Sequence, residues 1–164
     1  MFPSAMQDEA ARLLDAFRAR GLRLATAESC TGGLITALLT EIPGASDVVD
    51  RGFVTYSNEA KHESLGVPNA VIAEHGAVSQ PVARAMAEGA LRHSHADIAV
   101  SVTGFAGPGG VSDAKPAGLV HLAVARAGGP TLHQECRFGD IGRDQVRAKS
   151  VEVALSLLRR ALEA

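Results

Sequence analysis

The run Leu22-Arg23-Leu24-Ala25-Thr26-Ala27-Glu28-Ser29-Cys30-Thr31-Gly32-Gly33-Leu34-Ile35-Thr36-Ala37-Leu38-Leu39 constrains the fold of this chain more than any other. Apolar residues extend from Leu22 to Ala27 with Arg23 among them, the small residues Cys30, Thr31, Gly32 and Gly33 follow, and a helix-forming stretch begins near Leu34. A strand that ends in a tight turn and passes directly into a helix is a building unit of α/β sheets. Its geometry gathers the N–H groups of the first helical turn at one spot, with the positive end of the helix dipole behind them. Small side chains let a ligand approach that backbone closely. A hydroxyl at Ser29 then stands beside a cradle for an anion or a developing oxyanion. The same residues also fit a plain helix start, with Ser29 or Thr31 as the N-cap and the glycines serving packing.

On either side of this unit the pattern alternates between helix and strand. Ala10, Leu13, Leu14 and Phe17 recur at helical spacing, which predicts an amphipathic helix over about 4–20 with Gly21 as its C-cap. The strand at 22–27 and a helix at 31–41 come next, and Pro43-Gly44 stops that helix. Val48 to Tyr56 reads as a second strand, Ser57 or Asn58 then caps a short helix to Leu65, and Pro68 to Ala73 holds another. A helix starts at Ser79-Gln80-Pro81 and runs to His93, and Asp97 to Thr103 is a buried third strand. Gly104 to Pro116 is a glycine- and proline-rich loop. The strands 117–125 and 131–138 are joined by a connection too short for a crossover, so they pair antiparallel. The loop before them is no crossover helix either, which makes the fourth strand antiparallel to both its sequence neighbours. A last helix spans 143–162. Together these elements predict one domain, residues 1–164, with a mixed sheet covered by helices on both faces.

Composition narrows the function classes. A chain of 164 residues that is 46% hydrophobic and 21% charged is ordinary globular material. Its net charge of −2, without any basic run, leaves no electrostatic footprint for nucleic acid, and one tyrosine without tryptophan leaves no stacking platform. No apolar segment approaches the ~20 residues of a membrane span, and no signal-peptide pattern opens the chain. Two cysteines, Cys30 and Cys136, in no metal or redox spacing suit a reducing cytoplasm.

Three stretches carry candidate chemistry. Serine needs a base within hydrogen-bond reach to act as a nucleophile. If the second strand lies beside the first, Lys61 and Tyr56 in Tyr56-Ser57-Asn58-Glu59-Ala60-Lys61 come near Ser29. A lysine serves as that base when burial lowers its pKa, whereas most lysines are solvated helix residues. Thr103-Gly104-Phe105-Ala106-Gly107-Pro108, with Lys115 after it, leaves the third strand at the end where open α/β sheets collect ligands. Its exposed N–H groups and the Lys115 charge suit a phosphate, as they also suit a structural loop. His93-Ser94-His95-Ala96-Asp97 lacks a third ligand nearby and reads as a turn, while His62 is a weaker alternative base. Cys30, beside the serine at a helix start, is a rival nucleophile without a patterned partner.

Four blocks, Thr26-Ala27-Glu28-Ser29-Cys30-Thr31-Gly32-Gly33, Arg51 to Lys61, His75-Gly76-Ala77-Val78-Ser79, and Gly104 to Pro108 with Lys115-Pro116, resemble the C-terminal domain family of the competence/damage-inducible protein CinA, in the family's order and over about residues 5–162. The resemblance implies a three-layer α/β/α sandwich with a mixed, mostly parallel five-stranded sheet in which strand four is antiparallel. It implies hydrolysis of the carboxamide of nicotinamide mononucleotide (NMN), with Ser29 as nucleophile, Lys61 as base, Tyr56 in support, no metal or other cofactor, and a homodimer or higher homo-oligomer, which joins the cytoplasmic location expected from the cysteines. In that frame Cys30, Thr31, Gly32 and Gly33 hold the oxyanion, while Thr103, Gly104, Phe105, Ala106, Gly107 and Lys115 hold the substrate and its phosphate. Val111 stands where the family often has glycine and Leu119 where threonine is common. Ile141-Gly142 separates Asp140 from Arg143 in a run that is usually Gly-Asp-Arg. A non-catalytic nucleotide-binding module using the same anion site is the competing expectation, and a thiol enzyme using Cys30 is another.

Overall fold

The computed structural model describes residues 1–164. The elements follow the order α1 (Ser4–Ala19), β1 (Leu24–Glu28), α2 (Leu34–Glu41), a 3₁₀ turn (Ala45–Asp47), β2 (Val49–Val54), α3 (Asn58–Leu65), α4 (Asn69–His75), α5 (Gln80–Arg92), β3 (Ile98–Gly104), β4 (Leu119–Arg126), β5 (Leu132–Arg137) and α6 (Arg143–Glu163). The five strands form one sheet in the order β2-β1-β3-β4-β5. β1 pairs parallel with both β2 and β3, whereas β4 runs antiparallel to β3 and β5. The fold is the expected α/β/α sandwich, with strand four reversed for the reason the short connection supplies.

The side-chain period of two divides the sheet into two different faces. Leu24, Ile98, Val100, Val102, Val120, Leu122 and Val124 join the larger core, where α1, α2 and α6 pack. Ala25, Ala27, Ala99, Ala123 and Ala125 point the other way, against α3, α4 and α5. Alanines on that face let α5 lie close to the strands, and Ser101 Oγ there donates to the Ala83 carbonyl at 2.6 Å. A Cβ added at Gly89 of α5 would sit 2.0 Å from the Leu65 carbonyl oxygen, so only glycine lets α3 and α5 cross there. Ser57 and Ser79 are the N-caps of α3 and α5, accepting from the Ala60 and Val82 N–H groups at 3.0 and 3.4 Å. No helix is long and apolar enough to cross a membrane.

Parallel pairing brings the carboxyl ends of β2, β1 and β3 to one edge of the sheet, with Glu28 opposite both Val54 and Val102. The candidate chemistry of the sequence converges at that edge.

Candidate active site

Ser29 is the first residue past β1. Its N–H donates to the Val102 carbonyl at 3.0 Å, and its carbonyl accepts from the Gly32 N–H at 3.0 Å, which closes a tight turn. Gly32 and Gly33 have φ of 59° and 103°, the left-handed region that side chains avoid, so the turn needs both glycines. Beside it, the Thr55 N–H donates to the Glu28 carbonyl at 2.9 Å and extends the β1–β2 ladder past the strand end. The chain then turns at Ser57 into α3, and Lys61, one turn into the helix, reaches back toward Ser29.

Lys61 is 1% exposed and its Nζ lies 2.9 Å from Ser29 Oγ. Nζ also donates to the Thr55 carbonyl at 2.8 Å and the Tyr56 carbonyl at 3.2 Å. Burial pushes the Lys61 pKa below the usual 10.5, because a desolvated ammonium is disfavoured. In the neutral amine two N–H bonds satisfy the two carbonyls, and the lone pair is left for the Ser29 hydroxyl proton. That is the arrangement a serine nucleophile needs. Cys30 is buried and its thiol is pushed up to about 12, chiefly by desolvation, so it stays protonated and is a poor nucleophile.

The turn differs from the expected anion cradle in one respect. The Glu28 carboxylate, 0% exposed, occupies the start of α2. Oε2 accepts from the Gly33 and Ile35 N–H groups at 3.1 and 3.0 Å and from the Thr31 hydroxyl at 2.6 Å. Oε1 accepts from the Thr36 N–H at 2.8 Å and its hydroxyl at 2.9 Å. The α2 N-terminus therefore holds the protein's own anion, and neither Ser29 nor Thr31 caps it. Gly33 and Gly32 have spent their N–H groups, on Glu28 and on Ser29, so these two cannot receive an oxyanion as expected. The N–H groups of Cys30 and Thr31 donate to no carbonyl or carboxylate of the protein and remain free.

A cavity of about 170 Å³ opens over the pair, lined by Ser29, Cys30, Tyr56, Asn58, Lys61, Ala77, Val78, Thr103, Gly104, Ala106 and Arg143. That volume is below the ~300–1,000 Å³ of sites enclosing whole drug-sized ligands, so it suits a ring with its amide and leaves a longer molecule projecting outward. Thr103, Gly104 and Ala106 line it as expected. Phe105 and Gly107 do not: the Phe105 N–H donates to Leu119 and its carbonyl accepts from Gly118, while the Gly107 carbonyl accepts from Arg143. Lys115 is turned away, its Nζ donating to the His75 carbonyl at 2.6 Å, where it ties the glycine loop to α4 instead of meeting a phosphate. The loop itself borders a separate, open hollow of about 630 Å³ that carries Asp113 and Asp140 and has no nucleophile–base pair.

The cation at the cavity is Arg143, which in the sequence stands out only by its displacement from the family's Gly-Asp-Arg run. Its Nη1 donates to the Gly107 carbonyl at 2.9 Å and its Nη2 to the Tyr56 hydroxyl at 3.0 Å. Tyr56 is 63% exposed and meets Arg143 rather than Ser29; only its carbonyl touches Lys61. The Ile141-Gly142 insertion leaves this contact in place, with Gly142 at φ 98° turning the chain into α6. One signal in the sequence pointed here: Arg143 and Arg147, four residues apart, open a helix whose dipole disfavours cations at that end. The histidines lie elsewhere. His62 Nδ1 meets the Val67 carbonyl, His93 Nδ1 meets the Gly89 carbonyl, and His121 and His133 stack on each other.

Comparison with known proteins agrees with this architecture. The family described as CinA C-terminal domain matches residues 6–162. A competence/damage inducible protein, CihA, from Agrobacterium tumefaciens has a solved structure 52% identical to this chain, with a TM-score of 0.96 and coverage of 100% of this chain and 99% of that one. A competence damage-inducible protein A (ComA) from Klebsiella pneumoniae subsp. pneumoniae MGH 78578 is 39% identical at a TM-score of 0.92, covering 96% and 97%. A CinA-like protein of Anaeromyxobacter dehalogenans strain 2CP-C is 54% identical over 144 residues, which is 88% of this chain and 35% of the relative. The chain spans about a third of the length of the curated relatives it matches.

Proposed function

The chain belongs to the CinA C-terminal domain family, and on that premise we propose that it is a serine amidohydrolase that converts NMN to nicotinic acid mononucleotide and ammonia. The observation that carries this reading is the buried Lys61 amine 2.9 Å from Ser29 Oγ, with its remaining hydrogen-bonding capacity taken by two carbonyls. Lys61 takes the Ser29 proton as Oγ attacks the amide carbon. The free N–H groups of Cys30 and Thr31 are the donors available to the resulting oxyanion. The proton held on Lys61 passes to the leaving nitrogen, ammonia departs, and water clears the acyl-enzyme with Lys61 again as base.

The pyridine carboxamide enters the cavity and the ribose phosphate projects toward its mouth, where Arg143 offers the charge that Lys115 does not. Arg143→Ala is expected to raise KM for NMN about tenfold to a hundredfold, the loss of one charge-assisted contact to an anion, with kcat much less affected. Steady-state kinetics over a range of NMN concentrations measures both. The resemblance also carries a homodimer, which light scattering of the purified chain tests.

The binding-module reading keeps the same cavity and removes the turnover. Calorimetric titration with NMN, in EDTA, followed by analysis of the mixture separates the two. The amidohydrolase gives binding together with nicotinic acid mononucleotide and ammonia, and the module gives binding and unchanged NMN.

A further inference from the structure

The nucleophile turn is held from its carbonyl side by an arginine that does not line the cavity. Arg147, from the second turn of α6, donates from Nε to the Cys30 carbonyl at 3.1 Å and from Nη2 to the Thr31 carbonyl at 3.2 Å. It makes no ion pair with any carboxylate. A partly buried guanidinium whose edge is spent on two successive main-chain carbonyls fixes two peptide planes at once. Gly32 leaves it room: a Cβ there would lie 3.5 Å from Arg147 Nη2.

The rest of the turn is accounted for donor by donor. The Ser29 N–H goes to Val102, the Gly32 N–H to Ser29, and those of Gly33, Ile35 and Thr36 to Glu28. Only the N–H groups of Cys30 and Thr31 are left, in residues 6% and 0% exposed, where an unpaired donor is costly unless a ligand completes it. The carbonyl of Cys30 and the N–H of Thr31 belong to one peptide plane and point opposite ways. Pulling on the carbonyl therefore aims the N–H, and a positive charge at the oxygen polarises it as a donor.

We propose that Arg147 is a positioning residue for the reaction, aiming the two free N–H groups that receive the oxyanion. Through the Cys30 carbonyl it orients the peptide that carries the Thr31 N–H. Through the Thr31 carbonyl it holds the next peptide, whose Gly32 N–H fixes the Ser29 carbonyl and with it the plane of the Cys30 N–H. This rests on the serine amidohydrolase reading and assigns its electrostatic support to a residue without substrate contact. The charge of Arg147 is felt at Cys30, whose thiol it pulls downward against the larger effect of burial.

The test compares wild type, Arg147→Met and Arg147→Lys in NMN turnover, and in the rate at which a fluorophosphonate labels Ser29, which also places an oxygen among these donors. Arg147→Met is expected to lower kcat by about 10- to 100-fold, between a misaligned and a lost oxyanion donor. KM stays within about threefold because no ground-state contact is removed. Labelling slows in parallel, the ascending pH limb stays in place, and Arg147→Lys recovers part of the loss. A folded Arg147→Met with kcat and labelling within twofold of wild type overturns the proposal, as does a loss confined to KM. Should Arg147→Met not fold, Arg147→Lys decides, since unchanged kcat there overturns it equally. If wild type labels at Ser29 but releases no ammonia from NMN, slower labelling of Arg147→Met upholds Arg147 while the substrate assignment fails. If wild type does not label at all, both fall.

Discussion

Lys61→Met is expected to lower kcat for NMN by about 10³-fold, the mid-range for removing a positioned general base, while NMN affinity changes little. Methionine keeps the volume and apolar stem of lysine and removes only the amine, so the loss reports on proton transfer. Wild-type kcat/KM is expected to rise with pH along a limb lying below 10.5, because desolvation lowers the Lys61 pKa and only the neutral amine accepts the Ser29 proton. That limb disappears in Lys61→Met. Stability carries the opposite side of the same titration. With the folded pKa below the unfolded one, the unfolded chain holds the extra proton between the two values, so wild-type stability rises as pH climbs through that window. Lys61→Met does not titrate there, and melting curves across alkaline pH measure the difference. A kcat within a few-fold of wild type in Lys61→Met would remove Lys61 from the chemistry.

Glu28→Ala is expected to be the most destabilising single change near the site. It leaves the Gly33, Ile35 and Thr36 N–H groups and the Thr31 and Thr36 hydroxyls without their acceptor, in a place with no exposure to water at Glu28 itself. Unsatisfied buried donors cost about 1–3 kcal/mol each, and partial relaxation brings the total to about 3–5 kcal/mol. For a domain of this size that lowers the melting temperature by roughly 10–15 °C. Glu28→Gln keeps the size but presents an amide NH₂ to donors on whichever side it turns, so it too is destabilised, by less. Denaturant titration of the two variants checks this, and a Glu28→Gln protein as stable as wild type would show that the carboxylate is not what holds the turn.

What the sequence disclosed and what it concealed divide along a physical line. Periodicity reports which face of an element meets the core, and it located the helices and strands, while the short connections on either side of the fourth strand showed it to be reversed. Parallel pairing of β1 with β2 then made the meeting of Ser29 and Lys61 a consequence of topology. Periodicity does not report which N–H groups are already spent. Glu28 reads as an ordinary polar end to a strand, yet it fills the helix terminus that the turn seemed to reserve for substrate. Lys115 reads as a charge in a glycine loop, and nothing in its spacing shows that it bends to the His75 carbonyl. Arg143 lies 114 residues beyond Ser29 in sequence and arrives only because α6 packs back over the turn. Such contacts belong to tertiary packing, and local pattern is silent about them.

The central claim is that Ser29, made reactive by Lys61, opens the amide of NMN. Ammonia release from NMN by wild type and by Ser29→Ala, measured side by side, tests it most directly. Steady release by wild type is expected, with Ser29→Ala slower by at least about 10³-fold though still binding NMN, as for other serine enzymes stripped of their nucleophile. Release by Ser29→Ala at a rate near that of wild type would contradict the claim, as would a wild type that binds NMN and leaves it intact.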